Sequence, residues 1–155
     1  MSGNDCPIEK ATASDFDEIL DLLRECSLPS DGVAEHLSDF FVARDGAGRL
    51  VGCAAVERYG PVGLLRSVAV SAGLQRSGLG SRLVHRVLDE AQQAGIDEVV
   101  LLTTTARDFF ARRFAFKETT REPYASQLAG SVEWQLPRCS TAVVMSLRLA
   151  KEATA

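Results

Sequence analysis

Val68-Ala-Val-Ser-Ala-Gly-Leu-Gln-Arg-Ser-Gly-Leu-Gly80-Ser-Arg-Leu-Val84 is the stretch whose reading decides the fold. It begins on the last residues of Leu64-Leu-Arg-Ser-Val-Ala-Val70, which is apolar on both faces and reads as a central strand. The chain then turns through Gln75-Arg-Ser-Gly-Leu-Gly80 and enters a helix over 78–94. Leu79, Leu83, Val84, Val87, Leu88 and Ala91 recur on one stripe of that helix, and Gly95 ends it. Gly78 and Gly80 let backbone approach a ligand without side chains in the way. The first N–H groups of a helix have no intrahelical acceptor and sit at its positive end, so this turn is an anion site. Arg76 and Arg82 add fixed charge nearby. The chemistry suits a phosphate or diphosphate. No Gly-Lys-Ser/Thr follows, so the loop is not a Walker loop, and the glycine spacing does not fit a dinucleotide fingerprint.

Working outward, Ser14-Asp-Phe-Asp17 starts a helix carrying Phe16, Ile19, Leu20, Leu23 and Cys26 at helical spacing. Leu28-Pro-Ser-Asp-Gly32 breaks it, and Asp31 caps a weaker helix with Val33, Ala34 and Leu37. Strands over 40–43 and 50–56 flank the turn-rich Arg44-Asp-Gly-Ala-Gly-Arg49 and form a hairpin. Tyr59-Gly-Pro-Val-Gly63 turns into the central strand. Beyond the long helix come a buried strand over 98–102, Thr103-Thr-Thr105, and a short helix through Phe109 and Phe110. A strand over 117–121 ends before Pro123, signals are weak as far as Pro137, and a strand over 141–149 follows. This order predicts an α/β fold, with helices layered on one sheet.

The chain has 155 residues, which suits a single domain over 1–155. Hydrophobic residues are 46 % and charged residues 25 %, enough for a packed core. The net charge of −4 excludes nucleic acid and anionic membrane as expected partners. Cys6, Cys26, Cys53 and Cys139 form no C-x-x-C pair and keep no metal-ligand spacing, so no metal is expected. Unpaired thiols, a polar start without a signal peptide and no membrane-length apolar run point to the cytoplasm.

Gln75-x-x-Gly-x-Gly80 directly after Val68-Ala-Val70 resembles the coenzyme A pyrophosphate loop of the GNAT acetyltransferase superfamily. The strand–helix pair over 99–113 matches that family's order as well. The resemblance implies a mixed, mostly antiparallel sheet flanked by helices on both faces, with splayed central strands. It implies acetyl-CoA as cosubstrate, lying against Val68, Ala69 and Val70, against Gln75, Arg76, Ser77, Gly78, Leu79, Gly80 and Ser81, and against Phe110. The Val68 N–H would polarise the thioester carbonyl. Leu65-Arg-Ser-Val-Ala-Val70 with Leu101-Leu-Thr-Thr-Thr-Ala106 is similar to the small N-acetyltransferases of arsenic-resistance operons. Those detoxify arsinothricin and phosphinothricin, which are glutamate mimics. The same segments, with the strand over 140–149, look like the acetyltransferase domain of N-acetylglutamate synthase. These resemblances imply a small amino acid or analogue as acceptor and a homodimer.

Arg66 interrupts an apolar strand on the same face as Val68 and Val70, and alternation puts Ser67 on the other. A charge there is costly unless an anion meets it. Either it clamps an anion of the substrate, or it pairs with Glu57 on the neighbouring strand. Glu57 is a candidate base acting through water, or a solvated strand end. Ser67, Thr103, Thr104 and Arg138 are further candidates for contact with the acceptor, and one threonine would cap the next helix. Glu133 and Trp134 lie in the region that covers the acceptor in the related synthase. His36 is a surface residue or a neighbour of the acceptor, and His85 is structural. Many GNAT enzymes carry a tyrosine in the helix after the buried strand, as acid for the thiolate. Here Phe110 or Ala111 holds that place, and Tyr124 is a distant substitute. Arg112 and Arg113 meet cofactor phosphates or solvent. Alternatives to a glutamate-like acceptor are glutamate itself, a protein N-terminus, a lysine, an aminoglycoside, or acetyl-CoA binding without catalysis.

Overall fold

The computed structural model describes residues 6–136 and 141–149. In chain order its elements are β1 (Ile8–Lys10), α1 (Phe16–Glu25), β2 (Phe40–Arg44), β3 (Leu50–Tyr59), β4 (Val62–Val70), α2 (Leu79–Gln93), β5 (Glu98–Thr103), α3 (Arg107–Phe114), β6 (Lys117–Thr119), α4 (Val132–Gln135) and β7 (Val143–Arg148). Hydrogen-bonded neighbours follow the order β1-β2-β3-β4-β5-β7-β6. The β4/β5 ladder is parallel. The β1/β2, β2/β3, β5/β7 and β6/β7 ladders are antiparallel, as a mixed, mostly antiparallel sheet requires. Two compact units divide the chain, Met1–Ala55 with Ser67–Val87, and Val56–Arg66 with Leu88–Ala155.

In the first unit, α1 grows out of a 3-10 turn at Ala13–Asp15, where the Thr12 N–H donates to the Asp15 carboxylate at 2.8 Å. Ile19, Leu22 and Leu23 form its buried stripe and pack with Phe40, Val42, Cys53, Ala55 and Ala69. Gly52, one residue from Cys53, faces the other way. A Cβ there would lie 2.8 Å from Leu83 Cδ1 and 3.2 Å from Leu79 Cδ2 of α2. Alternation along β3 therefore sets α1 against one face and α2 against the other. The weaker second helix proves to be a 3-10 segment, Ala34–Asp39, kinked at His36. It buries none of its own residues, so no apolar stripe holds it in the α form.

In the second unit, β3 turns through Gly60, at φ 63, into β4. Gly63 sits where a Cβ would come 2.6 Å from Val56 Cγ1. Val62, Leu64, Val100 and Val144 form a core with Tyr124, Leu128 and Trp134 from the segment of weak sequence signals. The expected strand over 117–121 stops at Thr119, and Pro123 lies in a 3-10 turn, Glu122–Tyr124. Neither β1 nor α4 is visible in the sequence pattern. At three and four residues they are too short to show a period.

β4 is not a regular strand. Ser67 has φ 59, a left-handed conformation costly for a side-chain-bearing residue. Ala69 belongs to the core cluster that holds Cys53 and Ala55 of β3.

Candidate active site

Gln75, Arg76 and Gly78 are exposed, and Arg76 (φ 67) and Gly78 (φ 90) are both left-handed. Successive residues of unusual φ turn backbone N–H groups toward one side, where an anion can be held. The first helical bond of α2 runs from Arg82 N to the Gly78 carbonyl at 3.1 Å. That leaves the N–H groups of Leu79, Gly80 and Ser81 in the first turn, and Leu79 N donates to Ser77 Oγ at 3.3 Å. Arg82 points elsewhere and donates to the Cys6 carbonyl at 3.0 Å.

Strand β4 supplies the second part. Its ladder with β5 pairs Val62–Leu65 with Glu98–Leu101. Past Leu65 its carbonyls find other donors. Cys53 Sγ donates to the Ser67 carbonyl at 3.2 Å, and Cys26 Sγ to the Val70 carbonyl at 3.5 Å. Burial pushes the Cys26 thiol up, which outweighs the hydrogen bond to Val70 and keeps it protonated. Val68 and Val70 are half-buried, and Ala69 is buried.

In the second unit Arg66 and Glu57, both 0 % exposed at the side chain, form an ion pair at 2.9 Å. Arg66 Nε lies 3.8 Å from Glu133. The other oxygen of Glu57 accepts hydrogen bonds from Tyr59 and, at 2.8 Å, from Ser131. Ser131 also caps α4, accepting from Trp134 N at 3.2 Å. Burial, and then the hydrogen bond to Glu57, push the Tyr59 phenol well above its ordinary range. The anion expected at Arg66 is therefore a protein carboxylate, because a guanidinium this deep must be neutralised within the fold. Glu57 is not a solvated strand end, and Arg66, Tyr59 and Ser131 all donate to its carboxylate. Tyr59 and Ser131 were not foreseen. Tyr59 lies two residues from Glu57 on the same strand, a signal that alternation offers. Ser131 had none, since α4 spans one turn.

The remaining candidates are placed as follows. Thr103 accepts from Ala106 N at 2.9 Å in the turn before α3, whose cap position is Ala106 itself without a side-chain hydrogen bond, so the expectation that a threonine caps this helix is corrected. Thr104 and Thr105 are exposed. Phe110 is buried, stacked edge-on against Phe109 at 5.0 Å and Phe116 at 5.7 Å. Tyr124 is buried and donates to Glu98 at 2.9 Å, so its phenol is tied down. Trp134 carries the Arg121 guanidinium over its ring at 4.7 Å. Arg112 and Arg113 are exposed. His36 bonds Asp39 at 3.2 Å. His85 is exposed, so its structural reading is corrected: it lies off the buried stripe of α2. Arg138 falls outside the described residues. A cleft of about 190 Å³ in the first unit, lined by Glu18, Asp21, Leu22, Glu25, Arg49, Leu50 and Ser71, includes none of the predicted site residues. No helix among the described residues is long and apolar enough to cross a membrane.

With this strand–loop–helix in place, comparison with known proteins identifies the family. The model of the acetyltransferase (GNAT) family matches residues 5–117. The chain belongs to that family. An uncharacterised N-acetyltransferase of Chlorobaculum tepidum is 31 % identical to this GNAT chain over 99 residues, 63 % of the chain and 62 % of the relative. An amino-acid acetyltransferase of Neisseria meningitidis is 32 % identical over 100 residues, 59 % of the chain and 23 % of the relative. The chain thus spans about three fifths of one relative and a quarter of the other. Among solved structures, N-acetylglutamate synthase of Neisseria gonorrhoeae, complexed with coenzyme A and L-arginine, superposes with a TM-score of 0.75 at 25 % identity. That likeness covers 94 % of this chain and 34 % of the synthase.

Proposed function

We propose that this GNAT chain transfers the acetyl group of acetyl-CoA to the α-amino group of a glutamate-like amino acid. Arsinothricin and phosphinothricin are the acceptors we put first, which would make the reaction a detoxification. The observation that carries acetyl transfer is the left-handed turn at Arg76 and Gly78 leading from β4 into the open first turn of α2. The named amino-acid acetyltransferase at 32 % identity supports an amino acid as acceptor.

In this reading the pyrophosphate rests on the loop over 75–81, and the pantetheine arm pairs with the backbone of Val68, Ala69 and Val70. The acceptor's ammonium loses a proton to water, and the free amine attacks the thioester carbonyl carbon. The Val68 N–H donates to the developing oxyanion. The C–S bond then breaks, and the coenzyme A thiolate takes its proton from solvent, since Phe110 offers none. Neither Arg66 nor Glu57 needs to touch the substrate. Any anion clamp then has to come from elsewhere, and Arg138 is the proposed source.

The test is release of free thiol from acetyl-CoA with arsinothricin, phosphinothricin, methionine sulfoximine, glutamate and an aminoglycoside as acceptors. Turnover confined to the glutamate mimics is the expected result. Turnover with the aminoglycoside alone would overturn the acceptor. Tight acetyl-CoA binding without turnover by any amine would favour a sensing module, a reading that the phenol-free α3 keeps open.

A further inference from the structure

We propose that Glu25 and Cys26, at the C-terminal end of α1, are positioning residues for the cosubstrate loop: together they clamp Val70 and Ala72, where β4 ends. All the residues involved belong to the first unit. Beyond Val70 the chain makes a 3-10 turn, Ala72–Leu74, and then enters the loop over 75–81. The N–H of Ala72 opens that turn and has no acceptor within it. The Glu25 carboxylate, 47 residues away in sequence, accepts from it at 3.4 Å. Ser71 stands at the N-cap but makes no side-chain bond to the turn, and its buried hydroxyl has no hydrogen-bond partner among the described residues. A serine in that place ordinarily ties a turn to itself. Here the turn is tied to α1 instead.

The second point of the clamp is the neighbouring carbonyl. Cys26 Sγ donates to the Val70 oxygen at 3.5 Å, and Gln75 Nε2 donates to the same oxygen at 3.4 Å. One carbonyl thus joins the end of α1 to the first residue of the loop. The Ser71 N–H donates to the Val51 carbonyl at 2.8 Å and fixes the chain between the two points to β3. Glu25 also stands where its own helix disfavours it. It is the last residue of α1, at the negative end of the helix dipole, so its placement answers to a tertiary contact. Arg49, at 3.9 Å, offsets part of that cost. Neither Glu25 nor Cys26 needs to touch the cosubstrate. Both act through the backbone, by fixing where the left-handed Arg76 and Gly78 and the open first turn of α2 stand. The effect on coenzyme A rests on the acetyl-transfer reading above. The clamp itself does not.

The test compares two double variants with the parent. Glu25→Ala with Cys26→Ala removes the acceptor and the donor, whereas Glu25→Gln with Cys26→Ser keeps both. Calorimetry reads the Kd for coenzyme A, steady-state kinetics separate KM from kcat, and amide exchange reads the protection of Ala72. The clamp predicts that the alanine pair raises Kd, and the KM for acetyl-CoA, about tenfold, the size expected for one or two net hydrogen bonds. The kcat should change less than about twofold, and the Ala72 amide should lose protection. The conservative pair should stay within about threefold of the parent in Kd and keep Ala72 protected. Residues that serve folding alone would lower the denaturant midpoint without moving Kd, and that result would overturn the proposal. Equal weakening of Kd by both pairs would also overturn it, because the two bonds would then not be the cause. If the alanine pair does not fold, Glu25→Ala alone, at a side chain 41 % exposed, carries the same readouts. Should the parent bind no coenzyme A, the acetyl-transfer reading fails and amide exchange still decides the clamp. Faster exchange of Ala72 in Glu25→Ala then supports it, and unchanged exchange overturns it.

Discussion

Arg66 shows how a residue can be singled out correctly and its partner remain undecided. A charge inside an apolar strand announces a nearby anion, and the sequence offered both a substrate and Glu57. Burial of both side chains decides for Glu57. Arg66→Ala leaves that carboxylate buried and uncompensated, so a loss of about 3–5 kcal/mol is expected in denaturant unfolding. Tyr59 gives a second reading of the cluster. Its phenol is raised, so the folded state favours the protonated form. This stabilisation is complete below the ordinary value of 10.0 and is lost as pH rises through the raised one. Spectrophotometric titration should find Tyr59 protonated until the protein unfolds in alkali, and Glu57→Gln should bring its titration earlier. Asp15 and Glu18 behave oppositely. Burial pushes Asp15 up, but Thr12 N–H and the Arg44 guanidinium outweigh it. For Glu18 the Arg44 hydrogen bond dominates. Both lie below their ordinary 3.8 and 4.5, so their stabilisation is present above those values and is lost as pH falls through the lowered ones. Arg44→Ala should therefore destabilise the protein near neutrality and leave a shallower loss of stability below pH ~4.

At the scale of elements, periodicity was informative where elements are long. The stripe of α2 and the apolar run of β4 are legible because a helical period over 15 residues or a continuous strand over nine leaves little ambiguity. The one-turn α4 is not, yet it brings Ser131 and Glu133 to the buried cluster. Ser131→Ala removes both the α4 cap and a hydrogen bond to Glu57. A cost of about 1–2 kcal/mol is expected, read as a lower denaturant midpoint at unchanged slope. Gly63 tests strand packing in the same way. An alanine Cβ would meet the stiff Val56 side chain at 2.6 Å, so Gly63→Ala should cost about 1–3 kcal/mol. Gly78→Ala should behave differently, because open space surrounds that position and only the left-handed backbone is strained. Its effect belongs on the KM for acetyl-CoA more than on stability.

For the whole molecule, the thiols report how tightly the core closes. Cys6 and Cys53 are 0 % exposed and Cys26 is partly exposed. Under native conditions a thiol reagent should label Cys26 before Cys6 and Cys53, which react at rates set by opening of the fold. Equal labelling of all three would contradict this packing. The sequence by itself determined the family-defining part of this protein, which is the strand, the Gln75–Gly80 turn and the helix that follows. Local chemistry is enough there, because glycine placement and an unpaired helix start act over a few residues. The α/β class also followed, from the order of long elements. Only the tertiary structure decided which carboxylate meets Arg66, that Thr103 bonds the turn before α3, and that Ser67 takes a left-handed conformation within a strand. The pairings join residues distant in sequence, Glu57 with Arg66 and Cys53 with Ser67. Pairwise burial is set by the packing of each core, and no periodicity along the chain encodes it.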